Sequence, residues 1–160
     1  MREIVFAGGC FWGLEAYFKK YPGVIKTEVG YANGLIDKPV YEQVKKGGTG
    51  HAEVVHVVYD SNIISFETLL EKFWQVIDPT VINRQGPDIG HQYRTGIFYM
   101  DPADLPAINL SLEKIKTQYD RPIVTEIEPL KSYFAAEEYH QDYLTKNPSG
   151  YCHIDLSLYD

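Results

Sequence analysis

Ile4-Val5-Phe6-Ala7-Gly8-Gly9-Cys10-Phe11-Trp12-Gly13-Leu14-Glu15-Ala16-Tyr17-Phe18 runs an apolar stretch into an amphipathic one through a pair of glycines. Ile4 to Ala7 predicts a short buried strand, and Leu14 to Tyr21 predicts a helix. The Cys10 thiol then lies at a strand-to-helix turn. Glycines permit tight backbone geometry there, and a helix N-terminus favours a thiolate. Phe11 and Trp12 put an apolar wall beside it. The turn therefore predicts a nucleophile with its own hydrophobic pocket. The plainer alternative is a cysteine serving as a small buried hydrophobe, with two core aromatics after it. The helix start tilts the balance toward a reactive thiol and leaves its chemistry open.

Outward from this turn, Val24 to Tyr31 predicts a strand, ended by Asn33-Gly34. Residues 32–50 are polar and rich in Gly and Pro, and predict a long loop. Glu53 to Tyr59 is a β-branched strand. Ser65 to Val76 carries Phe66, Leu69, Leu70, Phe73 and Val76 at helical spacing behind an N-terminal serine. Pro79 to Gln92 predicts a second long loop. A strand over Arg94 to Met100 and a helix from Asp101-Pro102 to about Tyr119 follow. Then come a strand over Ile123 to Glu128, a helix within Phe134 to Leu144, and a loose tail from Asn147 carrying Cys152. The order is β-α-β-β-α-β-α-β-α. It predicts an α+β two-layer sandwich with a ferredoxin-like split β-α-β core, as one catalytic domain over residues 1–160. The two loops exceed ordinary connector length and are functional candidates.

A chain of 160 residues with 44% hydrophobic and 23% charged residues reads as globular and able to bury a core. The formal charge of −7 argues against nucleic acid or an anionic membrane as partner. No apolar run approaches the roughly 20 residues of a membrane span. The start at Met1-Arg2-Glu3 leaves no room for a signal peptide. A cytoplasmic location follows as the expectation, where a disulfide is catalytic more often than structural. The two cysteines, Cys10 and Cys152, sit near opposite ends, and no Cys/His spacing predicts a metal site.

Seven stretches occur in order: Gly-Cys-Phe-Trp-Gly at 9–13, Gly-Tyr-Ala-Asn-Gly at 30–34, Tyr-Glu-Gln-Val at 41–44, Thr-Gly-His-Ala-Glu at 49–53, Gln-Tyr-Arg at 92–94, Tyr-His-Gln-Asp-Tyr-Leu at 139–144 and Asn-Pro-Ser-Gly-Tyr-Cys at 147–152. Together they resemble the peptide methionine sulfoxide reductases of the A type, specific for the S epimer, over essentially the whole chain. The resemblance implies that Cys10 is the nucleophile and that Phe11 and Trp12 line a pocket for the substrate's S-methyl. It promotes Glu53, Tyr41, Tyr93 and Asp88 to the active site and makes Cys152 the resolving cysteine. It implies action on oxidised methionine in proteins, peptides or free; a monomer is expected, with no cofactor because thiols carry the electrons. Its reductant would be thioredoxin-like.

Chemistry supports those residue types. A sulfoxide oxygen leaves poorly unless it is protonated, so a thiolate attacking sulfur needs an acid on the oxygen side. Glu53 can be that acid only if its pKa rises from ~4.3 to ~7, at a cost of about 3.7 kcal/mol. An apolar pocket and the nearby thiolate would both push it up, and the pair would share a proton. Tyr41 and Tyr93 can donate phenolic hydrogen bonds to the oxygen. Asp88, in a Gly-rich loop, would orient substrate or water. His51 and His140 lie inside motifs and predict structural bonds rather than base catalysis. A sulfenic acid left on Cys10 needs a second thiol, which Cys152 supplies. Two other classes stay in view from the residues alone. One is a cysteine hydrolase with a histidine base, active without reductant; the other is a noncatalytic module gripping methionine in the aromatic pocket.

Overall fold

The computed structural model describes residues 1–34, 40–46, 49–148 and 150. Its centre is a six-stranded sheet in the order β7-β6-β1-β3-β2-β8. The strands are β1 (Arg2–Ala7), β2 (Val24–Ala32), β3 (Ala52–Tyr59), β6 (Gly96–Tyr99), β7 (Glu126–Pro129) and β8 (Tyr133–Ala135). All neighbours pair antiparallel except β6 and β7. A two-residue pair, β4 (Arg84–Gln85) and β5 (Asp88–Ile89), forms a separate hairpin. The helices are α1 (Phe11–Lys19), α2 (Tyr41–Lys46), α3 (Phe66–Val76), α4 (Leu105–Lys116) and α5 (Tyr143–Lys146). The chain is α+β, as the strand and helix pattern predicts.

Strand alternation decides what each face buries. Ile4, Phe6, Val29, Tyr31, Val55, Val57 and Tyr59 project from one face into a cluster with α1, α3 and α4. Val5, Ala7, Ala32, Ala52, Val54 and Phe98 form a smaller cluster separate from it. On the helix side Phe6 stacks against Phe18 at 4.9 Å and against Phe73 at 4.7 Å. α3 begins where the sequence predicts, with Ser65 Oγ accepting the Thr68 amide. Phe73→Ala empties one end of this stack, well away from Cys10 in sequence. We expect a loss of about 3–5 kcal/mol in chemical denaturation, with Tm falling by roughly 10 °C.

Two segments differ from their sequence expectation. The stretch read as loop from 32 to 50 contains α2. The helix is opened by the Val40 carbonyl, which accepts the Gln43 and Val44 amides, and Gln43 Oε1 accepts the Val40 amide in return. Val44 buries against the core. The helix expected within 134–144 is instead β8, a 3-10 turn at Glu138–His140, and the single turn α5. Open edge groups of β2 explain the switch. Gly30, Tyr31 and Ala32 pair with Ala135, Phe134 and Tyr133. Gln141 then takes both the N–H and the carbonyl of Val29, each at 2.9 Å. Smaller shifts occur elsewhere: α1 starts at Phe11 rather than Leu14, β7 lies at 126–129, and a 3-10 turn at Pro102–Asp104 precedes α4. No helix among the described residues is long and apolar enough to cross a membrane.

Candidate active site

The earlier start of α1 places Cys10 immediately before the helix, in extended conformation at φ −60°, ψ 128°. Gly9 precedes it at φ +83°, a conformation that side chains with a Cβ rarely adopt. A Cβ on Gly8 would stand 2.8 Å from Ile77 Cγ2. The two glycines thus let β1 turn into α1 within three residues. Cys10 is only 6% exposed. It stands at the positive end of the helix, which favours an anion there.

Glu53 comes from β3, where the residues 53, 55, 57 and 59 share the core face. The carboxyl is therefore carried inward by the same alternation that buries Val55 and Val57, and it is 0% exposed. Its Oε1 accepts the Phe11 amide at 3.3 Å. Its Oε2 is buried and has no hydrogen-bond partner among the described residues. Burial pushes the carboxyl up to about 8; the Phe11 amide pulls against this and the Asp88 carboxylate adds to it. Asp88 is thus a source of like-charge push on Glu53 besides the Cys10 thiolate that the sequence expects.

Tyr41 is the first residue of α2, and Tyr93 closes a 3-10 turn at His91–Tyr93. Burial raises both phenols above their ordinary range, and the charges of Glu53 and Cys10 raise them further. Asp88, on β5, contributes to the shift of Tyr93. The structure thus brings Cys10, Glu53, Tyr41, Tyr93 and Asp88 into one electrostatic neighbourhood. Both phenols keep their protons at working pH and can only enter as hydroxyls. Cys152 lies outside the described residues.

The two aromatics after Cys10 divide their tasks. Phe11 is wholly buried among Tyr31, His140 and Tyr41, at ring separations of 5.8, 5.4 and 6.4 Å. Trp12 is partly exposed and stacks on Tyr143 at 3.8 Å. The Trp12 indole N–H donates to His140 Nδ1 at 3.0 Å. An indole N–H only donates, so neutral His140 carries its proton on Nε2. Burial holds the imidazole below its ordinary pKa, with Glu137 opposing. His140 is therefore a bonding partner of the aromatic wall, as its sequence context predicts.

Several supporting residues escape sequence reasoning. Tyr31 pairs across the strands with Glu53 and is fully buried. Its hydroxyl donates to Glu137 Oε1 at 2.8 Å. Arg94 is buried, and it ties the 91–93 turn to β7 through Glu126 Oε1 at 3.0 Å and to the His91 carbonyl at 3.2 Å. Gln85 holds the 78–85 loop by accepting the Asp78 amide and donating to the Asp78 carbonyl. Arg94 stands in a quoted motif, and Tyr31 in another, so a signal was present for both. Glu137 carried none.

The chain matches the family model described as "Peptide methionine sulfoxide reductase" over residues 2–159. It is 60% identical over 158 residues to the peptide methionine sulfoxide reductase MsrA of Alkaliphilus metalliredigens, covering 99% of this chain and 100% of the relative. Among solved structures it resembles reduced Mxr1 from Saccharomyces cerevisiae, with a TM-score of 0.89 and 42% identity over 94% of this chain and 88% of that one. It also resembles Mxr1 in complex with Trx2, with a TM-score of 0.63 and 28% identity over 89% and 84% of the two chains. A thiol at a glycine-led helix start, with a buried carboxyl bonded to the next amide, thus sits in a chain that aligns from end to end with one kind of enzyme: the chain belongs to the peptide methionine sulfoxide reductase family.

Proposed function

We propose that this enzyme reduces methionine-(S)-sulfoxide to methionine, in proteins, peptides or free, with Cys10 as nucleophile and Glu53 as general acid. The observation that carries this is the Glu53 carboxyl, buried, pushed up to about 8 and bonded to the amide that follows Cys10. Near neutral pH most of it holds a proton, which is what an oxygen leaving group needs.

The Cys10 thiolate attacks the substrate sulfur while Glu53 delivers its proton to the sulfoxide oxygen. An S–S bond forms as the protonated S–O bond breaks; the released hydroxide then attacks the Cys10 sulfur, breaking the S–S bond, which leaves Cys10 as a sulfenic acid and expels methionine as the sulfide. The methionine sulfur gains two electrons and the Cys10 sulfur loses two. Tyr41 and Tyr93 donate hydroxyl hydrogen bonds to the oxygen as it takes up charge. Asp88 orients substrate or water and keeps the Glu53 proton in place by its own charge. Trp12 presents the face that receives the S-methyl, and Phe11 backs it from the core. The Cys152 thiol then displaces water from the sulfenic acid, forming a Cys10–Cys152 disulfide. A thioredoxin dithiol reduces that bridge, a partner supported by the complex of the yeast relative with Trx2.

The setting follows. The chain works as a single catalytic domain and a monomer in the reducing cytoplasm, with thiols carrying the electrons. The strand order β6-β1-β3-β2, with α1 joining β1 to β2 and α3 lying between β3 and β6, supports a ferredoxin-like split β-α-β core with helices on one side. Dithiothreitol-driven reduction of separated sulfoxide epimers tests the activity. We expect turnover of the S epimer only; reduction of the R epimer instead would overturn the assignment, and hydrolysis of an ester without reductant would favour a hydrolase.

A further inference from the structure

Glu137 stands at the start of the 3-10 turn that follows β8, remote in sequence from Cys10, Glu53, Tyr41, Tyr93 and Asp88. Its carboxylate nevertheless gathers three donors. Oε1 accepts the Tyr31 hydroxyl at 2.8 Å, and Oε2 accepts the Tyr41 amide at 3.0 Å and the exposed Tyr139 hydroxyl at 3.3 Å. We infer that Glu137 is a positioning residue of the reductase, acting through Tyr41 and Tyr31 on the oxygen side of the site. This rests on Tyr41 being an oxygen-binding group.

Two consequences follow from the contacts. The Tyr41 amide is the first N–H of α2 and has no partner within the helix. Holding it sets where α2 begins, and so where the Tyr41 ring hangs beside His140, 4.3 Å away. Tyr31 faces Glu53 directly across the β2–β3 ladder. Its hydroxyl proton is engaged by Glu137, which leaves it unavailable to Glu53. A donor turned onto Glu53 would favour the anion and weaken the acid. One carboxylate thus keeps a phenol in the site and another out of it. Glu137 is a working carboxylate: burial pushes its pKa up, but hydrogen bonds from the Tyr41 amide, its own amide and Tyr31 outweigh this and hold it below the usual range.

Glu137→Gln keeps the size and one acceptor but cannot serve both sides. We expect the single-turnover rate of sulfoxide reduction to fall about tenfold, since an ångström of misplacement costs up to ~100-fold. KM should stay within about twofold of wild type. In a Tyr41→Phe background the added loss should shrink to about threefold, because the hydroxyl that Glu137 positions is gone and only its hold on Tyr31 remains to be lost. A rate within twofold of wild type, a loss carried by KM alone, or full multiplication of the two losses would each overturn the inference. If Glu137→Gln fails to fold by near-ultraviolet circular dichroism, Glu137→Asp carries the same test, since it keeps the charge and withdraws it by one methylene. A silent Tyr41→Phe would overturn the role of Tyr41 and this inference with it. A slow Tyr41→Phe beside an unimpaired Glu137→Gln would overturn this inference alone.

Discussion

Glu53→Gln slows single-turnover sulfoxide reduction by about 10²–10⁴-fold, the usual worth of a placed general acid, and leaves the fold intact. The amide retains an oxygen for the Phe11 N–H, so the geometry at the start of α1 survives. Only the transferable proton is lost. The same substitution has a signature in stability, and its sign follows from burial. The folded-state pKa of Glu53 is raised to about 8 from an ordinary 4.5. Between those values the folded protein holds a proton that the unfolded chain has released. Stability linked to this group is fully present below about pH 4.5 and is lost as pH rises through 8. At pH 7 the deficit is about 3 kcal/mol. Glu53→Gln does not titrate, so its stability relative to wild type should increase from pH 5 to pH 8. Urea denaturation of both proteins across that range measures the difference. A constant difference would show that Glu53 titrates as an ordinary exposed carboxylate. Activity carries the matching limb: wild-type single-turnover rates should fall as pH passes about 8, where the acid gives up its proton.

This cost explains why the acid sits where it does. Glu53 occupies the core-facing register of a strand whose other inward residues are Val55, Val57 and Tyr59. In a strand chosen for stability alone, a valine there would remove the burden. The glutamate sits in the register that makes its proton useful, and the hydrogen bond from the Phe11 amide tempers it. Asp88, on the hairpin of the second long loop, pushes the same way as burial. A loop too long to be a simple connector thus delivers a charge.

What was legible in the chain divides along contact distance. The β1–α1 turn, the alternating strand β3 and the Ser65 cap are local patterns, and each appears where the residues place it. Cys10 was legible for the same reason, since its glycines and aromatics are its immediate neighbours. By composition Phe134-Ala135-Ala136 suits a helix, which the segment 134–144 does not form. The open edge of β2, about a hundred residues earlier, recruits it as a strand, and Gln141 clamps it there. The second layer of the site was illegible on the same grounds. Tyr41 meets Glu137 across 96 residues, Tyr31 meets it across 106, and Trp12 meets His140 across 128. No periodicity within a segment encodes such pairings. The role of Glu53 was legible only through resemblance, because a charge at a strand start reads as solvated until the fold shows which way the register turns it.

Cys152→Ser separates the two halves of the redox cycle, with a large expected effect on turnover and little on the first reduction. The first half needs only Cys10, Glu53 and the phenols, so the variant should form one methionine per enzyme at a rate within about twofold of wild type, its chemical step being untouched. The second half should fail. Cys10 is 6% exposed, and a sulfenic acid closed off to that degree is a poor target for a protein dithiol from outside. A thiol of the same chain escapes this limit by its high effective concentration. Its bridge requires the two Cα atoms to come within about 4.4–6.8 Å. Thioredoxin-driven turnover should therefore fall by at least about 100-fold, since even modest intramolecular advantages exceed that. Mass spectrometry reads the outcome directly. After one equivalent of substrate, wild type should carry a Cys10–Cys152 disulfide and Cys152→Ser should be heavier by one oxygen, on Cys10. Cys10→Ser should show neither change and release no methionine. Full thioredoxin-driven turnover by Cys152→Ser would remove Cys152 from the cycle and require the outside dithiol to reach Cys10 itself.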